Sequence, residues 1–346
     1  MCIPLLERGG RQAEVEICKI PALDLPDMSQ YVTGHHYLIP EERLNEEAWS
    51  LQSDAESSLF SKIMQLGQPL GEYVEGKFFR GVTTGFNEAF VIDSKSRDEL
   101  IQRDSKSSEL IKPLRGGENI RRYEVRPSED WIIFARRGVA IDSYPAVKEH
   151  LSAWKSELAP RNHPEMTKGR KPGRYEWYEI QDDVAYYSVF DKPKIIFPDI
   201  CKGPRFYLDE SGSYIANTAY CLGTDDRYLL GFLNSRLFWF AIANISIPFG
   251  VRAGQFRYRL IYQYMEKVPV RVIDPANKAD KQLRDQIVTL VDQMMSLHKL
   301  RSGIKTPHEQ TATDRQISAI DSQIDRLVYD LYGLTDEEIK LVEATA

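Results

Sequence analysis

Three segments set arginine and lysine beside glycine, proline and aromatic residues, a combination suited to binding phosphate. KPLRGGENIRRYEVRP (112–127) carries Arg115, Arg121 and Arg122. RNHPEMTKGRKPGRYEWYEI (161–180) carries Lys168, Arg170, Lys171 and Arg174. FGVRAGQFRYRLIYQYMEKVPVR (249–271) carries Arg252, Arg257 and Arg259. From loops or strand ends, lysine meets a phosphate as a point charge, while the arginine fork also fits guanine O6 and N7. These residues are the candidate DNA contacts. Gly169-Arg170-Lys171-Pro172-Gly173 is the best single candidate for a flexible groove-entering loop, because two glycines and a proline disfavour regular structure. Tyr175, Trp177 and Tyr178 read as core packing.

Signatures of catalysis are missing. There is no GxGxxG, no GxxxxGK[ST], no HExxH and no GxSxG. Without a Pro-Pro pair there can be no [NDS]PP[YF], the tetrapeptide that grips a flipped adenine. Cys2, Cys18, Cys201 and Cys221 form no CxxC, and His35, His36 and His298 have no ligand spacing, so neither a catalytic nor a metal site is assigned. Nuclease-like fragments occur at Pro198-Asp199, Glu75-Gly76-Lys77 and Glu338-Ile339-Lys340. They keep open a second reading, a DNA-cleaving enzyme with a cryptic metal-dependent site.

The net charge is -6 but unevenly spread. Residues 1–60 carry about -7 and residues 303–346 about -5, which leaves the centre at about +6. A mildly basic centre between acidic ends can bind phosphate locally. The N-terminus reads as no signal peptide. The most apolar stretch, 228–249, is interrupted by Asn234, Arg236 and Asn244, so a cytoplasmic protein without a membrane span is expected.

The elements that would position these residues follow. VEICKI (15–20) alternates as a strand, and residues 55–66 put Leu59, Ile63 and Leu66 on one helical face that Gly67 ends. WIIF (131–134) and KIIF (194–197) read as buried strands. RFYLDESGSYIANTAYCL (205–222) reads as a hairpin turning at Glu210-Ser211-Gly212-Ser213. Helices are expected over about 145–158, with Pro145 in the first turn, and about 225–243, with Thr224 as N-cap. Leu283, Ile287, Leu290, Met294 and Leu297 form a heptad seam, and Ile317, Ile320, Ile324, Leu327 and Leu331 form another. An antiparallel helical hairpin with a loop at 301–312 is expected, ended by Gly333 and followed by a Thr335–Glu338 capping box.

Several segments, in order, resemble the TaqI-like C-terminal specificity domain, the target-recognition region of adenine-specific methyltransferases and fused restriction-modification enzymes. GVTTGFNEAFVID (81–93) is similar to its GIKTGLNEAFVID, and LIKPLRGGENIRRYEV (110–125) to its LRG…RY stretch. KPKIIFPDIC (192–201), YLLGFLNSRLFWF (228–240) and YQYMEKVPV (262–270) continue the likeness, which covers about 69–270. The resemblance implies an α+β fold, a mixed β-rich target-recognition domain with the helical hairpin at its C-terminal side. The organisation read from it is a connector over 1–68, a recognition domain over 69–272 and a helical scaffold or partner arm over 273–346. Double-stranded DNA is the implied partner, together with a methyltransferase domain or subunit. S-adenosylmethionine is expected on that partner and no cofactor in this chain. A split-gene fragment without a partner is the remaining reading.

Overall fold

The computed structural model describes residues 14–18, 26–41, 53–252 and 255–345. The fold is α+β. Its central feature is a four-stranded antiparallel sheet in the order Tyr207–Asp209, Lys194–Pro198, Ala219–Leu222, Phe78–Arg80. Side chains alternate across a strand. Ile195 and Phe197 therefore enter one hydrophobic core while Ile196 enters another, and Leu222 and Cys221 divide the same way. A sheet covered on both faces explains why Ile195-Ile196-Phe197 is apolar at every position.

The second core lies under a mixed sheet in the order Tyr214–Ile215, Ile111–Arg115, Trp131–Ile133, Val91–Ile92, flanked by the helix Pro145–Ser152. The expected hairpin over 205–222 does not form. Tyr207–Asp209 pairs with Lys194–Ile196, whereas Tyr214–Ile215 runs parallel to Leu114–Arg115 in the other sheet. Asp209 causes the split. Its carboxylate accepts from the backbone N–H groups of Ser211 and Ser213 at 3.0 Å, turning the chain away. It also meets Lys194 Nζ at 2.6 Å, with both side chains buried. Lys194 gives a further bond of 2.7 Å to the Phe190 carbonyl, so the buried pair is well satisfied.

The first core holds Leu59 and Ile63 of the helix Asp54–Leu66, the helices Arg227–Leu233 and Arg236–Ile245, and the C-terminal helices. It thus crosses the divisions read from sequence at 68/69 and 272/273. Leu66 stays exposed at the end of its helix. The single helices expected at 145–158 and 225–243 are each broken in two, the former into Pro145–Ser152 and Lys155–Leu158. Asp226, not Thr224, caps Arg227–Leu233, accepting from Tyr228 N at 2.9 Å and Leu229 N at 3.2 Å. The break at Asn234-Ser235 is held by a buried amide. Asn234 accepts from Phe206 N at 3.1 Å and donates to Phe206 O at 2.9 Å. Neither half is a membrane span, and among the described residues no helix is long and apolar enough to cross one.

The helical hairpin is present as Lys278–Gly303 and Pro307–Leu331, its connection shorter than expected. Of the seams, Ile287, Met294, Ile324 and Leu331 are buried. Val291, Val328 and Tyr329, outside the heptads, are buried as well because the hairpin also packs on Arg227–Leu233. Gly231 lets them approach, since a Cβ there would lie 2.8 Å from Ile287 Cγ2. Gly333 turns at φ 58°, and Thr335 and Glu338 form their capping box, with bonds of 2.7 and 3.3 Å. At the N-terminal side Glu14–Cys18 pairs antiparallel with His36–Pro40, confirming the strand over part of VEICKI; Lys19 and Ile20 lie outside the described residues.

Lys194→Met removes the cation while leaving Asp209 buried, and should lower the urea-unfolding free energy by about 3–5 kcal/mol. A second outcome concerns Asp325, which accepts from Arg236 N at 2.9 Å. Burial raises its carboxyl to about 6 in the folded chain, against about 4 unfolded. Between those values the folded state binds more protons, so the aspartate's contribution falls as pH rises and levels off above about 6. The unfolding free energy of the parent relative to Asp325→Asn should therefore drop by up to about 3 kcal/mol from pH 4 to pH 7.

Candidate nucleic-acid interface

Ion pairing sorts the arginines. Arg122, Arg227, Arg271 and Arg301 each hold a carboxylate within 2.8 Å. Arg80, Arg115, Arg121, Arg126, Arg205, Arg252, Arg257 and Arg259 hold none among the described residues. Cations left without anions are those free to take phosphate.

Several of these act on one another or on a shared neighbour near the Asp199 end of the central sheet, and together they make an arginine strip. Arg80 stands opposite Tyr220 in the register, and Arg259 stands opposite Ile200. Both act on half-buried Asp199, whose carboxyl burial pushes up while the two guanidinium groups pull it down. Arg205 acts on Cys201, which is close in sequence to Asp199 and whose thiol burial raises to about 12. Arg205 and Arg126 in turn crowd Arg121. Burial lowers the Arg121 guanidinium first, and repulsion from these two adds to it. Backbone carbonyls of Glu118 and Ile120, each 2.7 Å away, orient Arg121 without neutralising it. Arg115 is fixed by Ser128 O at 3.3 Å. The glycine pair makes this packing possible. Gly117 N donates to Thr218 Oγ1 at 3.0 Å, and a Cβ on Gly117 would sit 2.5 Å from Thr218 O.

An antiparallel ribbon, Pro248–Arg252 with Gln255–Arg259, extends the strip. Arg257 and Arg259 lie over the Phe249 ring at 5.5 and 5.4 Å. The Nε groups of both are buried without a partner. Ile247, Val251 and Phe256 stand exposed beside them.

Two of the sequence-assigned contacts are corrected. Arg170 is only 4% exposed, and its guanidinium donates to the carbonyls of Leu158 at 2.7 Å, Thr84 at 2.7 Å and Trp177 at 3.0 Å. It stacks between Phe90 and Tyr175. Burial pulls it down to about 10, so it remains a cation and binds three segments together. The surrounding loop is consequently a fastened structure and not a flexible one. Arg161 N donates to Arg170 O, and Asn162 exchanges two bonds with Gly173. Arg122 points inward, bonding Asp321 of the helical hairpin and the Asn234 carbonyl. Lys168, Lys171 and Arg174 are exposed on this fastened loop, where Lys168 acts on Glu157.

Of the nuclease-like fragments, Glu75 is bonded to Lys77, Glu338 to Lys62, and Lys340 to Glu337. Asp199 lies within the arginine strip. Among the described residues no three His, Cys, Asp or Glu side chains are grouped to hold a metal. The residues that sequence reasoning missed are Arg80 and Arg205, and Arg126, which stands in the first basic segment, was left out of the assigned contacts. Arg205 follows Gly203-Pro204, but Arg80 joins them only through strand pairing.

Residues 112–270 match the family model of the TaqI-like C-terminal specificity domain. The similar stretch at 81–93 lies outside that span. The fold is similar to that of the Type IIL restriction-modification enzyme MmeI, solved in complex with DNA. The TM-score is 0.50 at 13% sequence identity, over 78% of this chain and 35% of that one, so this chain spans about a third of that enzyme's length.

Arg170→Ala should cost about 3–5 kcal/mol in urea unfolding, since buried carbonyls lose their donors. Lys168→Ala, Lys171→Ala and Arg174→Ala should each stay within about 0.5 kcal/mol of the parent.

Proposed function

We propose, on the premise that residues 112–270 are a TaqI-like C-terminal specificity domain, that this chain selects a duplex DNA sequence for an adenine-N6 methyltransferase in a cytoplasmic restriction-modification system. The carrying observation is the strip of arginines that hold no ion-paired carboxylate among the described residues. A chain of net charge -6 has anions to spare, yet among the described residues Arg80, Arg121, Arg126, Arg205 and Arg259 hold no carboxylate at ion-pair distance, and Asp199 is the acidic side chain within the strip. Such a cluster costs self-repulsion, which phosphate relieves.

Catalysis would belong to a separate domain or subunit. That partner would bind S-adenosylmethionine and supply the adenine-gripping tetrapeptide, neither of whose signatures occurs in this sequence. The C-terminal hairpin suits docking. Leu290 and Leu327, only half-buried, line an open groove between its helices, rimmed by Lys281, Asp285 and Arg326.

Duplex binding by the triple variant Arg121→Ala, Arg126→Ala, Arg205→Ala, followed across a salt series, tests the reading. Affinity should fall for every sequence alike, and the slope of log K against log[salt] should shrink by up to about 2.7. Unchanged affinity and slope would remove the strip from the interface. The chain alone should transfer no methyl group to DNA. A turnover above about 10⁻³ s⁻¹ would place the catalytic machinery here after all.

A further inference from the structure

We propose that the ribbon Pro248–Arg252/Gln255–Arg259 enters the major groove of duplex DNA, and that Arg252 and Gln255, paired at its end, read base edges there. The inference rests on the DNA-binding reading above and assigns the sequence-reading side chains within it.

Register supplies the first argument. Arg252 lies directly opposite Gln255, and Val251 opposite Phe256. Opposed residues of an antiparallel pair share a face, and alternate residues return to it. Arg252, Gln255, Arg257 and Arg259 therefore share one face, and Val251, Phe256 and Tyr258 share the other. The two faces have different fates. Tyr258 packs edge-on against Trp239 at 5.4 Å, which fixes the ribbon to the first core. On the arginine face, Arg259 stands opposite Ile200 and acts on Asp199, which brings the base of that face to the strip.

An irregularity between Pro248 and Val251, with Gly250 at φ 72°, lets Phe249 lie beneath Arg257 and Arg259. Their guanidinium planes are thereby held before any ligand arrives. Arg252 and Gln255 stay exposed beyond this support. The division of labour follows from position: Arg257 and Arg259, near the base of the ribbon, suit phosphate, while the outer pair goes deeper. A two-stranded ribbon fits the major groove, about 12 Å wide. Arginine is the side chain that pairs with guanine O6 and N7, and glutamine the one that pairs with adenine N6 and N7. The combination of fixed phosphate clamps behind and an arginine–glutamine pair ahead favours DNA over a protein surface as the occupant.

The test is selection from a pool of duplexes randomised over about 20 base pairs, followed by sequencing of the bound fraction. The parent should enrich a motif. Arg252→Ala with Gln255→Ala should lose preference at one or two positions of it, by about 5- to 150-fold each. Its binding to an unrelated duplex should weaken less than tenfold, because a single charge is removed. Arg257→Ala with Arg259→Ala should weaken all sequences together and keep the motif. Arg252 and Gln255 are exposed while Arg257 and Arg259 are half-buried, and thermal unfolding monitored by circular dichroism checks that the fold persists in both variants. A variant lacking Arg252 and Gln255 that retains every base preference overturns the proposal and leaves the exposed Val251–Phe256 face to a protein partner. A parent that binds duplexes but enriches no motif overturns it as well. A parent that binds no duplex at low salt defeats the DNA-binding reading itself, a different failure.

Discussion

The arrangement depends on one buried side chain at a helix break. Asn234 closes two hydrogen bonds with Phe206, while its own carbonyl receives Arg122. Arg122 also holds Asp321 of the helical hairpin, and Asp325, one turn further on, caps Arg236 just beyond the break. A buried amide or guanidinium without partners costs about 1–3 kcal/mol or more, so these groups fix one another. The node ties the strand region around Phe206, the helix pair at 227–245 and the C-terminal hairpin into one core. It also decides the neighbouring arginine. With Arg122 committed inward, Arg121 is turned outward to Arg126 and Arg205.

The same logic of satisfaction distinguishes structural from ligand-facing cations. Arg170 loses its water and regains three carbonyls and two aromatic faces. Lys194 loses its water and regains Asp209 and Phe190 O. Arg257 and Arg259 recover only part of what they lose. They have the Phe249 ring, and, unlike Arg122, whose Nε also lacks an acceptor, they hold no carboxylate among the described residues. An anionic ligand would supply what is missing. Arg80 stands on the sheet covered by cores on both faces, which keeps it in register, because neither face of that platform can shift without opening a core.

Much of the fold was legible because it is local. The heptad seams, the turn at Gly333, the capping box at Thr335 and the buried strand KIIF each depend on neighbours within a few residues, and each is present. The seam nevertheless understated the burial of Val291, Val328 and Tyr329, whose partner is a helix some 60 to 100 residues earlier. The hairpin expected at 205–222 failed for a related reason. Its turn residues are as read, but Asp209 is bound to Lys194, and that contact sends the next strand to a different sheet.

The sequence by itself determined which segments are basic, which helices pair, which catalytic signatures are missing and which family the centre resembles. These follow from residue type and short-range period. Only the tertiary structure decided the fate of each cation. Arg170 and Arg257 read alike in the sequence, each in a glycine-containing basic segment beside aromatics. One is enclosed by carbonyls from three separate segments, the other stands on a ribbon with a ring beneath it. Burial and partner supply are properties of distant chain segments brought together, so no window around either arginine contains them. Arg80 makes the same point in reverse: it belongs to none of the basic segments and reaches the strip because its strand pairs with one 140 residues away.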